Sequence, residues 1–150
     1  VGKLDAVVCI AGEAKWAAFE SMSEEDFYIG LKSKLMGQVN LVRIGQDYVN
    51  KGASFTLSTG ILADHPVELT TSPAMVNGGI HSFVKAASLE LKRRIRINVV
   101  SSGLVEDAVE KDEAYFPAHN PIPMNKVING YVKSVEGKGT GEIIRMYDNC

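Results

Sequence analysis

Three short runs of small residues are the first places where this chain could do chemistry: Ala11 and Gly12, residues 58–60 (Ser-Thr-Gly) and residues 101–103 (Ser-Ser-Gly). Each closes an apolar segment, and small side chains there let a ligand lie against the backbone. Asn77, His81 and Lys85 recur at i, i+4 and i+8, so a helix through them shows an amide, an imidazole and an amine on one face. Tyr115 and His119 fall in residues 104–124, the least regular stretch of the chain. A loop of that length is commonly a lid or disordered. Cys9 sits inside an apolar run and reads as a small core residue, while Cys150 ends the chain. No disulfide framework follows from that pair, a reducing compartment is expected, and no metal site is read.

The elements that must hold these residues alternate in type. Residues 5–12 (DAVVCIAG) form a continuous apolar run, as expected of a strand buried on both faces of a parallel sheet. Ser23 with Asp26 three residues on reads as an N-cap and an acidic first turn. Leu31, Leu35, Val39, Val42 and Val49 then recur at helical spacing, predicting one long amphipathic helix that stops near residues 50–52. Residues 53–57 predict a second strand. Ser72 is expected to cap a further helix with Pro73 at its first position, and Val76, Ile80, Phe83, Val84, Ala87 and Leu91 to form its inner face. Residues 96–100 predict a third strand, 125–135 a helix and 142–146 a fourth strand after a Gly-rich turn.

Such alternation implies right-handed crossovers and an α/β, doubly wound parallel sheet of Rossmann-like type, covered on both faces. In that class ligands lie beyond the carboxyl ends of the strands, so the three small-residue tips should converge on one crevice.

With 150 residues, 45% of them hydrophobic and 23% charged, the chain can bury one core, and residues 1–150 are read as a single domain. A formal net charge of −2 argues against binding nucleic acid through a wide basic surface. The basic run Lys92, Arg93, Arg94 and Arg96 sits where a helix should end and is expected to complement its dipole. No apolar run approaches the ~20 residues that span a bilayer, and no charged segment leads into an apolar one at the start, so a cytoplasmic protein without membrane contact is expected. Residues 1–3 read like the linker before a strand, with the expectation that N-terminal strands and helices of the domain precede them.

Cys9-Ile10-Ala11-Gly12 is similar to the Asn-Asn-Ala-Gly strand end of the short-chain dehydrogenase/reductase family, and residues 55–60 (FTLSTG) resemble the strand that carries its catalytic serine. Residues 86–91, the strand 95–103 (IRINVVSSG) and residues 138–144 (KGTGEII) resemble that family's helix end, its "RVN-x-V-x-PG" strand and its closing "TG" strand. Nearly the whole chain is covered. The resemblance implies the C-terminal part of a Rossmann-type oxidoreductase acting on a small molecule with NAD or NADP. It also implies a homo-oligomer packed through the helices at 31–49 and 73–93, where Gly78 and Gly79 would permit close approach. No G-x-G-x-x-G is present, so the cofactor is expected only if a preceding segment supplies that loop.

The family's chemistry uses a tyrosine, a lysine four residues later, a serine, and an asparagine on the preceding helix. A phenol with an ordinary pKa of ~10 becomes useful near neutrality only beside a cation. Aligning on Glu90-Leu91 puts Pro73 at the tyrosine and Asn77 at the lysine, while the serine falls on Thr59 and the asparagine on Lys34. Thr59, Asn77 and Lys34 are therefore the candidate catalytic residues, and Ala11, Gly12, Asn77 and Gly103 the candidate cofactor contacts. By the same resemblance His81 is read as an interface residue away from the crevice, and Tyr115 or His119 as substitute donors from a closing lid. Two functions follow: an atypical NAD(P)-dependent oxidoreductase, or a non-catalytic nucleotide-binding sensor or oligomeric scaffold.

Overall fold

In the computed structural model, which describes residues 3–109 and 113–147, the expected elements assemble into one parallel sheet. The strands are β1 (Leu4–Val8), β2 (Val49–Gly60), β3 (Arg96–Ser102) and β4 (Ile143–Met146), hydrogen-bonded in that spatial order. Between them run α1 (Glu24–Gly30) and α2 (Met36–Gly45), then α3 (Thr71–Glu90), then α4 (Met124–Glu136). The register pairs Val8 with Thr56, Thr59 with Ser101, and Ser102 with Met146, so all the carboxyl ends lie on one side.

Alternation along β2 and β3 sorts the core. Phe55, Leu57, Ile97 and Val99 face α3 and pack against Val76, Ile80 and Val84. Thr56 and Val100 face α4, where the Thr56 Oγ1 lies 2.6 Å from Ser134 Oγ and a Cβ on Gly130 would meet Val100 at 3.1 Å. Because the strands advance in one direction while α3 and α4 lie on opposite faces, the β3–α4–β4 crossover has the opposite hand to β2–α3–β3. Uniform right-handed crossovers were expected.

Several boundaries differ from expectation for physical reasons. Ser23 does form a capping box with Asp26. The single long helix is instead α1, a π-helical turn (Leu31–Leu35) and α2, and Val49 belongs to β2. Ser72 is not the cap of α3: Thr70 precedes the helix, Ser72 is buried with its Oγ unpartnered, and Pro73 sits in the first turn, where a missing N–H costs nothing. The run 5–12 was expected to be buried on both faces, yet β1 stops at Val8 and is largely exposed, because it forms one edge of the described sheet. The basic run serves other carbonyl ends than its own helix's. Arg93 donates to Gln46 O and Val49 O, and Arg96 to Ser134 O and Val135 O at the end of α4, each at 2.7 Å. Cys9 is half-buried against the core, and Cys150 lies outside the described residues.

Candidate active site

The segment after β1 is fastened before it reaches the crevice. Cys9 N–H donates to Thr56 O, Ser58 Oγ donates to Cys9 O at 2.7 Å, and Glu13 N–H donates to Ser33 Oγ at 3.2 Å. These ties bring Gly12 against the π-helical turn. Its φ is +117°, and a Cβ there would lie 2.6 Å from the Cα of Lys34. Both facts require glycine. A π-helical turn is rare and shifts the phase of the helix, and here it presents Lys34 beside Gly12.

Alternation at the end of β2 separates its two hydroxyls. Ser58 points toward α4, with its Oγ 2.7 Å from Tyr131 OH, whereas Thr59 points toward α3, with its Oγ1 2.8 Å from His81 Nε2. From the first turns of α3, Pro73 and Asn77 reach the same place, and Asn77 Nδ2 donates to Gly60 O at 3.4 Å. Gly12, Lys34, Thr59, Gly60, Asn77 and Ser102 thus line one cleft of about 390 Å³, together with Glu13 and Trp16. The three catalytic candidates and Gly12 are brought together. Gly103 lies in an adjoining apolar cleft of about 200 Å³ with Ile61, Leu104 and Phe116; Trp16, Gly60, Leu62 and Ser102 line both. Ala11 is exposed next to Gly12.

His81 is the main correction. It was expected at an interface away from the crevice, but it is 6% exposed and bonded to Thr59, which is also 6% exposed. Helical spacing placed it on the face of Asn77 without saying that this face lies on the sheet. Lys85, one turn on, is exposed. Tyr115 stands with its ring edge-on to Trp16 at 5.9 Å, and His119 packs on Phe116 and His65, its Nδ1 3.2 Å from Pro117 O.

The electrostatics follow burial. Lys34 is half-buried, which pushes its amine below the ordinary lysine range. Burial also lowers the His81 imidazole; Asp64 opposes that shift, while Arg145 and Lys85 add to it. Asp64 is held by Arg145 Nε at 2.7 Å and by Tyr147 OH at 2.9 Å, and its hydrogen bond to Arg145 is the first cause that keeps its carboxyl below the usual range. Tyr147 OH also meets Ser101 Oγ at 2.5 Å, and burial raises this phenol far above its ordinary value. Sequence reasoning missed this network and Trp16. The lone tryptophan close after Gly12 was the one available signal. Among the described residues no group of three His, Cys, Asp or Glu is placed to hold a metal, and no helix is long and apolar enough to cross a membrane.

Residues 1–135 match the family model described as enoyl-(acyl carrier protein) reductase. The chain belongs to the short-chain dehydrogenase/reductase family. It is similar to the protein lin1944 from Listeria innocua, with 40% identity over 97% of this chain and 73% of that one and a TM-score of 0.95. A small-chain dehydrogenase in complex with NADPH shares the fold at 22% identity, covering 97% of this chain and 73% of its own, with a TM-score of 0.84. So does the angucycline C-6 ketoreductase LanV with bound NADP, at 18% identity over 95% of this chain and 61% of its own, with a TM-score of 0.84. A comparison with curated proteins finds no match. In this short-chain dehydrogenase/reductase, α3 contains no tyrosine, and the side chains it offers the cleft are Pro73 and Asn77.

Proposed function

We propose that this chain carries the catalytic cleft of an atypical NAD(P)-dependent oxidoreductase that reduces or oxidises a small molecule, with Lys34, Thr59 and Asn77 as its working side chains. The observation that carries this reading is their convergence with Gly12 on one cleft beyond the strand ends. Two neighbours in fold were solved with NADPH or NADP, which supports a nicotinamide cofactor here.

The cleft's donors fit the nicotinamide end of such a cofactor. Asn77 is buried with its amide at the mouth of Gly60, a Cβ on Gly60 would stand between Ser102 O and that amide, and Lys34 supplies a cation. When bound, the cofactor would supply or accept the hydride. The Thr59 hydroxyl hydrogen-bonds and polarises a carbonyl, Lys34 attracts its developing negative charge or an anionic substituent, and Trp16 helps exclude water. The adjoining apolar cleft suits an apolar portion of the substrate. In this reading the Gly-rich phosphate loop belongs to a strand paired with β1, whose edge carries exposed Leu4 and Val8. The protein works in the cytoplasm as a homo-oligomer through α2 and α3, where Ile44 and Leu89 stand exposed.

Pro73 favours a second reading, a nucleotide-binding sensor or scaffold, because it replaces the family's proton donor with a residue that has no proton to give. Calorimetric titration of the full-length protein with NADPH and NADH, followed by turnover on ketones and aldehydes, separates the two. Binding with turnover supports the oxidoreductase, binding alone the sensor, and no binding of either cofactor overturns the proposal.

A further inference from the structure

The oxidoreductase reading leaves one question open: a carbonyl oxygen that gains an electron pair must also gain a proton, and α3 brings no phenol to the cleft. The structure places an ionisable group behind the one α3-facing hydroxyl of β2. His81 Nε2 lies 2.8 Å from Thr59 Oγ1, and Thr59 lines the cleft while His81 sits beneath it, away from solvent. We propose that His81 is the proton source of the site, acting through the Thr59 hydroxyl on a substrate oxygen. This inference rests on the reading above and deepens it.

The geometry supports a two-step hand-over. As a carbonyl oxygen in the cleft takes on negative charge, the Oγ1–H bond of Thr59 breaks and its proton goes to that oxygen. The Nε2–H bond of protonated His81 breaks in turn, and its proton restores the Thr59 hydroxyl. A bound reduced nicotinamide would deliver hydride to the carbonyl carbon, breaking its own C–H bond and sending the C=O π pair to the oxygen; His81 is left neutral until it is protonated again. In the oxidative direction neutral His81 accepts the proton that Thr59 takes from an alcohol. In this arrangement Thr59 is the catalytic residue and His81 a positioning and proton-supplying one.

The surroundings of His81 are suited to that exchange. Asp64, in the turn after β2, is near enough to favour the imidazolium, while Arg145 from β4 and Lys85 from α3 disfavour it. Asp64 is itself fixed by Arg145 and by Tyr147, which continues to Ser101. Asp64 itself is exposed to solvent and acts on His81 through its charge. Burial outweighs the carboxylate, and the imidazole loses its proton below the ordinary histidine range, which makes its protonated form a stronger donor.

The test uses the full-length protein and two readouts. Proton–nitrogen correlation spectra of the histidine side chains are followed over pH, with His81 identified by its loss in His81→Gln. The expected result is that His81 titrates below the ordinary histidine value of ~6.5, that Thr59→Val moves its titration, and that Asp64→Asn lowers it further. Titration at or above that ordinary value, or indifference to Thr59→Val, overturns the proposal. NADPH-dependent reduction of ketones and aldehydes is then measured over pH. Wild-type kcat should fall about tenfold per pH unit above the measured His81 pKa, and His81→Gln, which keeps an N–H toward Thr59, should lose this profile and about 10²–10³ in kcat with KM retained. A variant that keeps the wild-type profile overturns the relay. NADPH binding without turnover in the wild type overturns the relay alone; failure to bind any nicotinamide cofactor overturns the parent reading with it.

Discussion

Gln38 on α2 holds both backbone groups of Ser58: its Nε2 donates to Ser58 O at 2.9 Å and its Oε1 accepts from Ser58 N–H at 3.0 Å. The amide stands where β1 has already ended, so one side chain supplies what the next strand would have supplied. Gln38 is 1% exposed, and neither backbone group has water as a substitute. Gln38→Leu should therefore cost about 2–4 kcal/mol, since each buried orphan costs about 1–3 kcal/mol. Urea unfolding of variant and wild type measures it, and a change under 1 kcal/mol would mean that β2 finds another partner.

Gly12 combines a left-handed backbone with contact against the Lys34 backbone. In Gly12→Ala the strain and the clash add, for an expected loss of about 2–4 kcal/mol and of nicotinamide cofactor binding. Thermal unfolding and calorimetry check the two effects separately.

Lys34 is expected to trade stability for binding. Burial disfavours its charged form, so the folded protein carries a penalty below the lowered pKa that a neutral side chain avoids. Lys34→Met should raise Tm by about 2–4 °C while weakening NADPH binding at least tenfold. Unchanged binding in a folded variant would assign Lys34 no part in the site.

Stability should fall with acid in a defined window. The folded protein keeps His81 neutral below its ordinary pKa of ~6.5, so the unfolded chain binds the extra proton and folding weakens as pH drops through that value. Asp64 adds a second loss at lower pH, as its carboxylate is protonated through a pKa held below the usual range. Tm measured from pH 7 to 3 should decline in both intervals, and His81→Gln should flatten the upper one only.

Assembly through α2 and α3 can be tested at Leu89, which is 86% exposed at the end of α3. Leu89→Glu should convert a dimer to a monomer in light scattering, since a stable isologous contact buries about 1,200 Å² or more in total and tolerates a buried unpaired charge poorly. A wild type that is monomeric at high micromolar concentration would refute the assembly.

Local patterning determined a good deal without coordinates. Apolar runs bounded by small residues located all four strands, and the Ser23 to Asp26 spacing named a true helix start. The strand-end rule and the family's motifs led to Gly12, Lys34, Thr59 and Asn77, which do share a cleft. Period and spacing describe which residues of one element face together, and they are silent on what that face meets. For that reason His81 was placed on the correct side of α3 yet given the wrong neighbour, and the arginines were matched to the nearest helix end in sequence when Arg96 reaches the end of α4 instead. The position of α4 on the far face, the Gln38 clamp and the Asp64–Tyr147–Ser101 network all join residues distant in sequence. Only the packing of the sheet against two helical layers decides such contacts, because buried polar groups bond to whatever partner the close-packed interior leaves within reach.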